Sequence, residues 1–191
     1  FGTGPLWFVL ALLLFSIAYA GWRSSRQGPD ASHPFPGDGR ILRFVVGIGL
    51  VAFAVRLAFP VGWAVLGLQL GYFPLYVAFF VFGTWARRNG WLEALDRRRA
   101  RPWFVAALVA IATMPAVIVL GGGLSGGAAS FAGGLDWQAL IYALWEPVVC
   151  VGIGLRLLVL FRERFSKPTR LSTRMNRSAY TAYILHPLLV V

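Results

Sequence analysis

Residues 138–161, QALIYALWEPVVCVGIGLRLLVLF, decide the fold. As a helix rising ~1.5 Å per residue, this run reaches ~36 Å, more than a bilayer hydrocarbon core of ~30 Å. It predicts a membrane span, yet it carries Glu146 and Arg156 within its apolar length. A carboxylate inside a span costs roughly 2.5–3.5 kcal/mol on insertion scales, so Glu146 must face protein or a wet cavity and find a partner there. Pro147 follows directly; it removes one backbone donor and frees the carbonyl of Ala143, which predicts a kink and a polar notch beside the carboxylate. Two roles fit such a notch, a structural ion pair that sets two helices in register and the wall of a reaction cavity.

Composition agrees with a membrane reading. Hydrophobic residues make up 58% of the 191, charged residues 13%, and mean hydropathy is +0.69, more apolar surface than a soluble domain of this size can bury. The net charge of +11 does not point to nucleic acid, because 16 of the 18 Lys and Arg fall in three short segments between apolar runs. The single cysteine, Cys150, excludes an internal disulfide. His33 and His186 stand apart with no metal-ligand spacing, so no metal site is expected.

Working outward, six spans are expected: 5–22, 41–59, 72–86, 103–120, 138–161 and 178–191, the last only 14 residues long and read as truncated. The fold class is therefore an all-α polytopic helix bundle, a single membrane domain over 1–191, because backbone polar groups in lipid must be satisfied within each helix. The polar Pro/Gly-rich stretch 23–40 is a loop and His33 a solvated residue in it. Trp91–Leu95 is expected to form a short interfacial helix. The Gly-rich stretch 121–134 lacks the spacing and the following Lys-Ser/Thr of a nucleotide loop. Tyr72, Tyr76, Phe79 and Gly83 lie at i, i+4, i+7 and i+11, an aromatic stripe on one face suited to core packing or to stacking a substrate.

Loop charge orients these spans. Residues 23–43 hold four Lys/Arg, 87–101 six and 162–177 six, whereas 60–71 and 121–137 hold none. The positive-inside rule puts the three basic loops in the cytoplasm and residue 1 outside. Arg56, near the outer end of the second span, and Glu146, in the outer half of the fifth, then differ in depth by only ~7.5 Å, within the reach of an arginine side chain. They are the first candidate pair. Arg156, near the inner end of its span, is placed to snorkel to headgroups or to meet an anionic donor. In the last segment Tyr180, Tyr183 and His186 recur every three residues and form a slanting polar row, either a hydrogen-bond relay or the setting of a general base.

The runs GPLWFVLALLLFS, LQLGYFPLYVAFFVFGTWARRNGWL, WEPVVCVGIGLRLLVLFRERF and SAYTAYILHPLLVV, in this order, resemble acyltransferase family 3, integral-membrane enzymes that acylate sugars. The middle two look most like the glucan succinyltransferase branch. The resemblance implies a cytoplasmic acyl-CoA or similar acyl donor, no tightly bound cofactor, and a carbohydrate hydroxyl of a polysaccharide, glycolipid or periplasmic glucan as acceptor, in a bacterial inner membrane. Membrane lipids are the other expected partners, and nucleic acid is not one. The family's catalytic histidine and arginine belong to N-terminal helices that no part of this sequence matches, so the chain is read as a fragment lacking them. No catalytic residue is carried over, and His186 is the candidate within these residues. Two other classes fit the pattern of spans, a secondary transporter and a non-catalytic membrane subunit. A transporter would show a second half-repeat, which six spans here do not display.

Overall fold

The apolar runs become helices in the computed structural model, which describes residues 6–25, 33–65 and 67–165 together with Ser178 and Thr181. In chain order these are α1 (Leu6–Ser24), α2 (Asp38–Ala58), the two-residue strands β1 (Ala64–Val65) and β2 (Leu68–Gln69) of a minimal hairpin, and a 3-10 turn (Leu70–Tyr72). Then follow α3 (Phe73–Arg88), α4 (Trp91–Ala94), α5 (Arg97–Leu120), α6 (Ala129–Ala132) and α7 (Trp137–Arg164). Local chemistry sets the ends. Asp96 caps α5 by accepting from the backbone N–H of Arg99 at 2.8 Å, and α3 has a proline in its first turn, where no intrahelical donor is lost.

Four helices, α1, α2, α5 and α7, are long and apolar enough to cross a membrane. The chain is thus an all-α integral membrane protein with four such helices among the described residues. The third expected span forms a helix of 16 residues, ~24 Å long and short of a ~30 Å core. The sixth, 178–191, lies outside the described residues apart from Ser178 and Thr181. α7 runs unbroken through Pro147 and past Phe161 to Arg164, three residues beyond the apolar run, because Arg and Glu are good helix formers.

The chain divides into two compact units. One takes 1–29, 64–68 and 161–191. Within it α1 exposes the apolar side chains of Leu12, Leu13, Leu14 and Ile17. The other takes 30–63 and 69–160 and holds a helix bundle. Its α2 buries Ile41, Val45, Ile48, Ala52 and Arg56, spaced four, three, four and four apart and so on one face. Ile41 and Val45 join Trp103, Val151, Leu155 and Val159 in one core, while Ile48 and Ala52 join Leu75 and Ala143 in another. Small residues let α2 and α7 meet: a Cβ on Gly49 would stand 2.7 Å from Leu144 Cδ2 and 3.0 Å from Leu144 Cα.

The short helix α4 forms over four of the five expected residues, Trp91–Ala94. Trp91 is 7% exposed, its indole N–H donating to the His33 carbonyl at 2.7 Å and its ring against Phe35 and Phe82. The N–H finds a partner and the ring buries its area, as an amphipathic ring requires. His33, exposed as expected, is tied in through its backbone, since its own N–H donates to Asn89 Oδ1 at 2.7 Å.

Candidate functional site

The buried stripe of α2 ends in a charge. Arg56, in the last turn of that helix, is 0% exposed, and across from it Glu146 of α7 is 7% exposed. Arg56 Nη2 donates to Glu146 Oε2 in a buried ion pair. A second donor is used locally: after α2 the chain leads into the 3-10 turn, whose Gly71 carbonyl accepts from Arg56 Nε at 3.1 Å. The guanidinium carbon lies 5.0 Å from the ring centre of Tyr72 and 5.2 Å from that of Tyr142, two cation–π contacts. The two phenol oxygens are 3.4 Å apart. Nη1 has no hydrogen-bond partner among the described residues.

Helical spacing builds this cluster. Tyr142 and Glu146 are i and i+4 on α7, hence on one face, and Tyr72 and Tyr76 repeat the spacing at the start of α3, with rings stacked 6.3 Å apart. Trp145 stacks on Tyr142 at 5.9 Å and donates its indole N–H to the Ala110 carbonyl of α5 at 2.9 Å, so a third helix fixes the register of α7 beside Glu146. From the loop side, the Val61 N–H donates to the Ala132 carbonyl at 2.7 Å, joining the segment that follows α2 to α6. Desolvating a guanidinium and a carboxylate costs several kcal/mol each, which here is offset by their attraction, the Gly71 bond and two cation–π contacts.

The other expected site residues lie elsewhere. Arg156 is half-buried on α7, its guanidinium 6.0 Å over the Phe104 ring, and is ten residues or ~15 Å along the helix from Glu146. Tyr180, Tyr183 and His186 lie outside the described residues. Among the described residues no three His, Cys, Asp or Glu gather as a metal site would require. Tyr142 escaped sequence reasoning although its place four residues before Glu146 was a usable signal. Tyr72 was visible only as part of an aromatic stripe, and the Gly71 carbonyl, a backbone atom, left no signal at all.

Two recesses flank the cluster without including it. One, about 670 Å³, opens between α2 and α3 and is lined by residues such as Val51, Val55, Phe59 and Val77. The other, about 690 Å³, lies among α3, α4 and α7 and is lined by Phe79, Phe82, Trp91, Val151, Leu155 and Leu158. Chemically, the cluster presents a neutral charge pair, spare donor capacity and aromatic faces, a set suited to holding an oxygen-rich, uncharged group. The family model described as Acyltransferase domain matches residues 1–191. Neither the comparison with curated proteins nor the comparison with solved structures gave a match.

Proposed function

The chain belongs to the acyltransferase domain family, acyltransferase family 3, and from that membership we propose that it moves an acyl group from a cytoplasmic acyl-CoA-type donor to a hydroxyl of a cell-surface or periplasmic carbohydrate, glucan included. The observation that carries the reading is the Arg56–Glu146 pair set between Tyr72 and Tyr142. Buried ionisable groups in a membrane protein are costly and mark functional cavities, and polar groups among aromatic rings are what a sugar site needs. The six-span arrangement in a bacterial inner membrane, with residue 1 outside, puts this cluster on the acceptor side. The Arg-rich segments and Arg156 then face the polyanionic donor. The apolar recess beside Trp91 supports the same division, since it offers the inner half of the bundle a place for an acyl chain or lipid tail.

Full-length protein in proteoliposomes, given labelled acyl donors and a panel of neutral glycans, is expected to yield alkali-labile label on the glycan. Solute movement without covalent acylation would support the transporter reading, and neither outcome the non-catalytic subunit. Topology is tested separately. In a Cys150→Ala background, Ser125→Cys is expected to react with a membrane-impermeant maleimide on intact cells, and Arg98→Cys only after permeabilisation. The reverse pattern overturns the orientation.

A further inference from the structure

We propose that the recess among α3, α4 and α7 holds one tail of an anionic phospholipid whose headgroup rests on Arg87 and Arg99; the inference stands apart from the acyl-transfer reading and concerns a bound lipid, not a substrate. The recess has the chemistry of hydrocarbon. Its volume is about 690 Å³ and no charged residue lines it, from Phe79 and Phe82 on α3 to Leu155 and Leu158 on α7. It opens outward, since Gly83, Cys150, Leu157 and Leu158 in its lining are exposed. An apolar gap between helices forfeits dispersion contacts and gives water no polar partners, so in a bilayer it fills with a lipid chain.

Depth and charge select the lipid. Along α7 the lining runs from Val149 to Leu158, a rise of about 13 Å at ~1.5 Å per residue, against about 15 Å for one leaflet of a ~30 Å hydrocarbon core. The tail therefore enters at the Arg-rich end of the bundle, the cytoplasmic one in the orientation proposed above, and ends near Cys150. Two cations flank that entrance. Arg87 is exposed one turn past Gly83 and so on the same face of α3, and the exposed Arg99 holds its guanidinium 5.2 Å from the ring centre of Phe35, itself part of the lining. Segments 38–43 and 87–101 hold eight arginines against Asp38, Glu93 and Asp96. Two of these three acids are engaged, Asp38 by the Trp103 indole and Asp96 as the cap of α5. The tail by itself selects nothing, because bulk lipid is as apolar as the recess, so any preference comes from the headgroup. Two surface arginines, discounted for their exposure, predict a roughly tenfold preference for phosphatidylglycerol over phosphatidylcholine.

Full-length protein in nanodiscs is probed with phosphatidylglycerol carrying a diazirine near the end of one tail and, in parallel, with the matched phosphatidylcholine, and the cross-linked residues are mapped by mass spectrometry. The anionic lipid is expected to mark the deep end of the recess, residues 149–153, about tenfold more than the zwitterionic one. Gly83→Leu combined with Gly154→Leu is expected to cut that labelling at least about fivefold: a Cβ at either position meets nothing within 4 Å, so the leucines fill the recess without displacing backbone. Arg87→Gln combined with Arg99→Gln leaves the recess open and is expected to bring the two lipids to equal labelling, and it tests the proposal if the leucine variant does not fold. An undiminished preference for phosphatidylglycerol in the arginine variant overturns the proposal. So does equal labelling of the wild type by both lipids, the mark of passing bulk lipid, or no labelling at 149–153, the mark of a recess covered by another part of the chain. Labelling that a long-chain acyl-CoA removes and excess unlabelled phosphatidylglycerol does not would give the recess to the donor's chain and overturn it as well.

Discussion

Glu146→Gln and Arg56→Met are each expected to destabilise the protein by about 3–5 kcal/mol, and the double variant by clearly less than the sum of the two. Each single change strands a charge. With Met at 56, the carboxylate faces tyrosine rings and apolar α2 with its cation gone. With Gln at 146, the guanidinium loses its counter-charge and is left with neutral partners, an amide oxygen, the Gly71 carbonyl and the two tyrosine rings. The double variant buries an amide and a thioether instead, groups that cost far less to desolvate, so the second substitution removes the penalty that the first created. Unfolding titrations with SDS in mixed micelles, run on wild type, both single variants and the double, give the coupling energy directly. Additive losses would mean that the contact contributes no net interaction, and the role of Arg56 would then have to be argued without Glu146.

This pair shows how far hydropathy reasoning extends in a membrane protein. Lipid imposes two rules that can be read from a sequence, a minimum apolar length and a heavy cost for stray charge. The first made α1, α2, α5 and α7 legible. The second left Arg56 and Glu146 as each other's candidates, since few opposite charges lie within spans, and the structure joins them. The rest depended on information that no side-chain pattern carries. The Gly71 carbonyl reaches Arg56 because of where a loop returns, and Trp91 is buried because the His33 carbonyl happens to stand within reach of its indole. α3 matches its expected 15 residues with 16 and still falls short of a bilayer core: the preceding residues turn as 3-10 and strand rather than extending the helix, so hydrophobicity alone did not measure a span. Arg156 was placed by depth alone, and its contact is a ring, Phe104, that depth does not specify.

Gly152→Ala and Gly154→Ala, the same change two residues apart on one helix, are expected to move stability in opposite directions. Alanine is the better helix former by about 1 kcal/mol, so wherever the new methyl meets open space the substitution stabilises. A Cβ on Gly154 has nothing within 4 Å, and that variant is expected to gain about this much. A Cβ on Gly152 would run into the backbone carbonyl of Trp103 and stand 2.6 Å from the Ala107 Cβ. A backbone carbonyl of α5 cannot swing aside like a side chain, so α5 has to retreat from α7, at a cost of about 2–3 kcal/mol net of the propensity gain. The retreat reaches further than one contact. The Trp103 indole donates to Asp38 Oδ1 at 2.9 Å at the start of α2, and Trp145, next to Glu146, donates to the Ala110 carbonyl of the same α5. Parting α5 from α7 therefore loosens both helices that hold the Arg56–Glu146 pair, and Gly152→Ala is expected to shrink the coupling energy of that pair as well as the total stability. SDS unfolding of the two alanine variants, each with and without the Glu146→Gln and Arg56→Met changes, measures both effects. Equal stabilisation by the two alanines would show that α5 and α7 do not meet at Gly152, and an undiminished coupling energy in the Gly152→Ala background would show that the pair is held without help from α5.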